Sequence, residues 1–192
     1  MRNTFILFFL SATFANAQSI IDWSESYQLQ FSDFQSAATQ ISGGNILSLQ
    51  SGASIDFSFA MSNAEFMFTK NFNSKVGCQF MRSAASLVSP DSISALSLLN
   101  FCRFDFDLTE LYTRKFRKKI YEEKAAFSNV SFFRPIYDEI IREFSERRTM
   151  AGKQTDLGRD KEKLDELHQE VLKEVQDLAD FCKTCKPPKK KK

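Results

Sequence analysis

The residues that could do chemistry here are few, and their scarcity limits the chemistry. The 192-residue chain has 1 histidine, His168, so no zinc site built on two or three histidines can form within it. Three carboxylates, Asp105, Asp107 and Glu110, fall close together in a stretch free of Gly and Pro that reads as one long helix. Grouped carboxylates can hold a divalent cation or share acid–base work. A Ser/His pair would have to use His168, and nothing in the sequence positions a third member. On the third predicted helix, His168 reads as a partly exposed residue beside an apolar stripe, with metal ligation as the alternative. Neither a G-x-S-x-G elbow nor a G-x-x-x-x-G-K phosphate loop is present.

Four cysteines, Cys78, Cys102, Cys182 and Cys185, are disulfide candidates with three possible pairings. The Cys182-Lys183-Thr184-Cys185 spacing invites a redox reading. A reactive C-x-x-C sits at a helix N-terminus, where the dipole favours thiolate. This pair follows the end of a helical pattern, where the dipole opposes thiolate, so a structural crosslink or free thiols are expected.

At 100° per residue, Leu98, Cys102, Asp105, Leu108, Thr109 and Tyr112 share a face with Phe101. A carboxylate such as Asp105 on that apolar face needs a partner or a cleft. Arg103, Asp107, Glu110 and Arg114 follow another face at steps of three and four, the pattern of a solvated ion-pair ladder.

This helix resembles that of a bacterial exported domain-of-unknown-function family related to zinc metallopeptidases, whose pattern is close to LLxHEQxHFDIxELYARK. The match is best from Phe106 to Lys115. Trp23, Leu29, Phe31, Asp33 and Phe34 are similar to the family's N-terminal W…L-x-W-x-D-F pattern, with Phe31 at a usual Trp. Gln154-Thr155-Asp156 resembles its Q-x-x-Y-D region more loosely. The resemblance implies a zincin-like fold. It also places Phe101 at the first His of H-E-x-x-H, Cys102 at the Glu and Asp105 at the second His, so the metal-site positions are degenerate. The expectation is a non-catalytic binding or scaffold module with no metal and no other cofactor. The alternative is a divergent metal-dependent hydrolase using Asp105, supported by Asp107, Glu110 and His168, with zinc as its cofactor.

The elements that must position these residues change period along the chain. Alternating patterns at residues 20–23, 27–31, 55–59 and 65–69 predict strands, with a short one at 75–80. Residues 38–41 and 46–49 flank Ser42-Gly43-Gly44-Asn45, a hairpin signal. Ser89-Pro90-Asp91 opens the long helix, with Ser89 as cap and Pro90 at the first helical position; it runs to about residue 126. Pro135 opens a second helix, with Ile136, Ile140, Ile141 and Phe144 on one face. Gly152 and Gly158 bound a loop, and Asp160 caps a third helix carrying Leu164, Leu167, Val171, Val175, Leu178 and Cys182. Strands first and three helices after predict an α+β fold with a small antiparallel sheet in the N-terminal half.

Residues 1–17 read as a secretory signal: Arg2, the apolar run of residues 5–10, then Ala15-Asn16-Ala17, with the mature chain expected to start at Gln18. The run is too short to span a bilayer, and the expected location is periplasmic or extracellular. Net charge is +2, yet the single domain expected over residues 18–182 has more acids than bases. Such a body does not fit a nucleic-acid binder; the expected partner is an unidentified protein or cell-envelope component. Residues 183–192 hold six lysines and read as a loose solvated end, with a weak tether to anionic surfaces as the alternative.

Overall fold

In the computed structural model the described residues are 19–43, 45–57, 62–124 and 130–189. The expected signal segment, residues 1–17, and the last lysines, 190–192, lie outside them. Six short strands come first: β1 (Ile20–Asp22), β2 (Gln40–Ile41), β3 (Ser48–Gln50), β4 (Ala53–Asp56), β5 (Gly77–Met81) and β6 (Ser86–Ser89). A one-and-a-half-turn helix, α1 (Asn63–Phe68), interrupts them. Three long helices follow: α2 (Ser92–Glu123), α3 (Phe133–Gln154) and α4 (Lys161–Asp177). The architecture is α+β. Among the described residues no helix is long and apolar enough to cross a membrane.

The strands form two small sheets. β5 lies between β1 and β4, antiparallel to both. β6 lies between β2, which is parallel to it, and β3, which is antiparallel. The expected hairpin is therefore absent: β2 and β3 do not pair with each other, because β6 inserts between them. Residues 65–69 fall within or next to α1 rather than in a strand. Ser62 Oγ accepts from Glu65 N (3.1 Å), an N-cap that outweighs a weak period-two pattern. Residues 27–31 form an irregular segment ending in a 3-10 turn at Phe31–Asp33, closed by the Asp33 carboxylate accepting from Gln30 N (2.7 Å). The α2 cap is Asp91, two residues later than the expected Ser89. Its side chain accepts from Ser94 N (2.7 Å).

Helix α2 is the axis, with 18 of its 32 residues buried on all sides. Its first half packs beneath the sheets, with Leu98, Leu99, Cys102 and Phe106 against Leu29, Phe34, Phe80 and Leu87. Its second half packs in the helical layer, with Phe104, Leu108, Leu111, Phe116 and Ile120 against Phe66, Phe72, Phe133, Ile136, Ile140, Leu164, Val171 and Val175. The abundant phenylalanines concentrate here: Phe133 contacts Phe66, Phe72 and Phe57 at centroid distances of 5.3, 5.5 and 5.4 Å.

The face read as a solvated ladder is largely interior. Glu110 is 3% exposed, Arg114 7% and Arg117 1%. Glu110 Oε1 accepts from Arg114 Nε (2.8 Å) and from Arg117 Nη1 (3.1 Å). Arg114 Nη1 also donates to Val175 O (2.8 Å). Arg117 donates to Val76 O through Nε (3.0 Å) and Nη2 (2.6 Å), and to Phe181 O through Nη1 (2.9 Å). Burial lowers the Arg117 pKa and Glu110 opposes that shift. These bonds join α2 to the residue preceding β5, to the last turn of α4 and to the 3-10 turn Ala179–Phe181.

Beyond α4 the chain keeps contacts with the rest of the protein as far as Pro188. Cys182 and Cys185 are disulfide-bonded, and Cys185 O accepts from the side-chain amides of Asn71 and Asn73 (both 3.1 Å). Tyr121 Oη donates to Pro188 O. Lys183 Nζ pairs with Asp22 (3.0 Å).

Arg117→Met leaves Glu110 with one guanidinium and strips Val76 O and Phe181 O of their donor. The expected loss is about 3–5 kcal/mol in urea unfolding, the cost of removing one member of a buried charged group. Glu110→Gln should cost less than Arg117→Met, because the amide oxygen still accepts.

Candidate functional site

The three degenerate positions sit together near the N-terminal third of α2. Phe101 is 3% exposed, its ring 5.7 Å from that of Phe104. It is covered by the turn that joins α3 to α4. Asp156 and Leu157 adopt left-handed φ values of 49° and 54°, and Gly158 follows at 90°. A Cβ on Gly158 would lie 2.4 Å from Ser97 O and 3.2 Å from Phe101 Cβ, so only glycine lets this turn close on α2.

Cys102 is fully buried, its Sγ 3.7 Å from Ser51 Oγ. Burial, reinforced by the Asp105 charge, pushes its thiol well up, so it is no thiolate near neutral pH. Cys78, buried under the Phe106 carbonyl, is likewise free and shifted up by burial. Of the four cysteines, then, only Cys182 and Cys185 are paired.

Asp105 is 1% exposed and its partner comes from α3. Arg148 Nε lies 2.7 Å from Asp105 Oδ1. Neither atom has an aligned hydrogen-bond partner, so the contact is an ion pair and not a directed bond. Burial raises the Asp105 pKa above its ordinary value, while Arg148 and the Ser51 hydroxyl pull it back. The Arg148 side chain is 38% exposed and leaves the buried carboxylate for a cavity of about 470 Å³. Leu49, Phe101 and Leu157 give that cavity an apolar wall; Arg148, Thr149 and Lys153 give it donors, and Asp156, paired with Arg159 (2.8 Å), also lines it.

The other two carboxylates face elsewhere. Asp107 Oδ1 accepts from Trp23 Nε1 (2.7 Å) and Oδ2 from His168 Nε2 (2.6 Å). The His168 ring also meets Phe104 edge-on at 5.9 Å. The adjacent cavity is about 50 Å³, and its lining (Tyr27, Gln28, Leu29, Arg103, Phe106) offers no Ser, Thr or Cys to serve as a nucleophile. Glu110 is committed to Arg114 and Arg117. Asp105, Asp107 and Glu110 thus have three separate sets of cationic or N–H partners. Among the described residues, no three His, Cys, Asp or Glu side chains are grouped to hold a metal ion.

These positions do not fit a zinc ion. Phe101 has no donor atom, and a guanidinium at 2.7 Å supplies positive charge where a cation would meet Asp105. Arg148 is the residue that sequence reasoning missed. The need of Asp105 for a partner was legible, but Arg148 lies in an ordinary run of charges on another helix.

Phe101→Ala empties the contact between α2 and the 155–158 turn. The expected loss is about 3–5 kcal/mol by denaturant unfolding. A loss within about 0.5 kcal/mol, typical of a surface change, would mean that the ring is not a packing element.

A second expectation concerns pH. The folded chain holds the Asp105 proton to higher pH than the unfolded chain does. Between the unfolded value of about 3.9 and the folded one, the native state therefore binds more protons, and stability contributed by Asp105 falls as pH rises. The unfolding free energy of the parent minus that of Asp105→Asn should decrease as pH rises from acid toward neutral. A difference flat with pH would show that Asp105 titrates alike in both states.

Comparison with protein-family models, with curated proteins and with solved structures found no match to this chain.

Proposed function

We propose that this chain is a non-catalytic binding module acting outside the cytoplasm, a relative of the exported metallopeptidase-like family that its long helix resembles. We further propose that its ligand joins a carboxylate to an apolar group. The observation that carries this reading is Arg148, which reaches from the buried Asp105 carboxylate into a cavity of about 470 Å³ beside Phe101. Asp105 pairs with Arg148 at Nε, and Arg148 also lines the cavity. A planar guanidinium so placed suits a carboxylate, and Lys153 adds a second positive charge. Leu49, Phe101 and Leu157 suit an aliphatic or aromatic group. The Ala15-Asn16-Ala17 pattern and the Cys182–Cys185 bond support an oxidising, exported setting.

The test is calorimetry with short aliphatic and aromatic carboxylates and their amides, on protein dialysed free of metal. Carboxylates should bind and the amides should not. Lys153→Gln should weaken binding severalfold, and Asp105→Asn/Arg148→Met, which removes both charges together, should abolish it. One zinc per chain that survives dialysis and is lost in Asp105→Ala would overturn this reading in favour of the metal-dependent hydrolase.

A further inference from the structure

We propose that the end of the molecule where α1 meets the chain after α4 docks on the surface of an anionic phospholipid membrane. Four lysines from three separated stretches, Lys70, Lys124, Lys186 and Lys189, line one cavity of about 630 Å³ together with Tyr121. Among the described residues no acidic side chain lines it. Of the acids near it in sequence, Glu65 pairs with Lys75 (3.3 Å) and Glu122 with Lys118 (3.9 Å), while Glu123 is exposed.

The lysines are gathered by the fold. Lys186 and Lys189 flank two fixed points of the chain: Cys185 O accepts from Asn71 and Asn73, after α1, and Pro188 O accepts from Tyr121 of α2. Lys124 Nζ donates to Met67 O (3.2 Å) and lies over the Phe66 and Phe72 rings (5.1 and 5.7 Å). That contact sets the basic cluster beside α1, whose outer side carries Met67 at 53% and Phe68 at 81% exposure. Lys70 follows Phe68 by two residues, and Lys190, Lys191 and Lys192 continue the charge in sequence.

Charge alone would suit any polyanion. The exposed aromatic and thioether side chains beside it argue for lipid. A cluster of lysines gains from anionic headgroups, and apolar side chains gain only where hydrocarbon lies beneath them. A nucleic acid or acidic polysaccharide offers Met67 nothing comparable. This inference does not depend on the cavity at Arg148.

Co-sedimentation of the full chain tests it, with phosphatidylcholine vesicles compared with mixed phosphatidylglycerol and phosphatidylcholine vesicles. The phosphatidylcholine arm reports any binding by the apolar residues 5–10 that is independent of the patch. Binding should require phosphatidylglycerol and weaken with salt. Lys70→Gln/Lys186→Gln/Lys189→Gln and Met67→Ser/Phe68→Ser should each reduce partitioning about tenfold or more. All five positions are exposed, so unchanged urea midpoints identify variants that remain folded. Parent-like partitioning of either variant would overturn the proposal. So would equal affinity of parent and Met67→Ser/Phe68→Ser for single-stranded DNA combined with no preference for phosphatidylglycerol, the result expected of a general polyanion site.

Discussion

One carboxylate oxygen, Glu110 Oε1, accepts two guanidinium groups inside the molecule, and the arrangement of the surrounding elements depends on it. Two arginines at 7% and 1% exposure cannot stay there without acceptors for their N–H groups. Glu110 neutralises part of their charge, and the carbonyls of Val76, Val175 and Phe181 take other donors. Two of those carbonyls lie at the C-terminal end of the helical layer, where helix geometry leaves acceptors exposed and the dipole is negative. The charge that Glu110 leaves unneutralised therefore meets carbonyl dipoles of the favourable sign. Trp23 extends the network: the Arg114 guanidinium lies 5.3 Å from its ring centroid, and its Nε1 donates to Asp107, which also binds His168. One connected polar path ties the segment after β1, β5, α2 and α4 to each other.

Such a path costs more than an apolar core of the same volume would, and its return is geometric. It sets the rotation of α2, because Arg114 and Arg117, paired with Glu110 on the same helix, have targets on different neighbours. Rotating α2 away would leave charges unpaired in the interior. With α2 so held, Phe101, Cys102 and Asp105 are directed at the α3–α4 turn. The cavity beside Phe101 thus depends on where α2 is anchored nine and more residues further on.

The same α2 register accounts for the contrast among its carboxylates. Asp105 and Glu110 are both almost fully buried, yet Glu110 is paired entirely inside the protein whereas Arg148, the partner of Asp105, is part solvated. A guanidinium between a buried carboxylate and a cavity is held without being used up, which suits recognition of an anion. Glu110 and its arginines have no comparable opening and belong to the framework.

Much of this molecule was legible in its residues. The order of strands before helices, the three long helices, the Asp160 cap and the apolar stripe from Leu164 to Val175 follow from local periodicity and capping chemistry, which need only neighbouring residues. The inward face of α2 from Leu98 to Tyr112 was legible for the same reason. So was the need of Asp105 for a partner, since desolvation of a carboxylate is costly wherever it occurs. What tertiary structure alone decided involves pairings between distant residues. Val88 lies between Gln40 and Ser48, so two segments that look like a hairpin never meet. The Arg103, Asp107, Glu110 and Arg114 spacing is the same whether a helix face meets water or protein, and here the neighbours β5 and α4 made much of it interior. Arg148 reaches Asp105 across 43 residues, and Lys70, Lys124 and Lys186 come together from three elements. Periodicity carries no information about which charge on one element faces which on another; that is set by the packing of α2 against its neighbours.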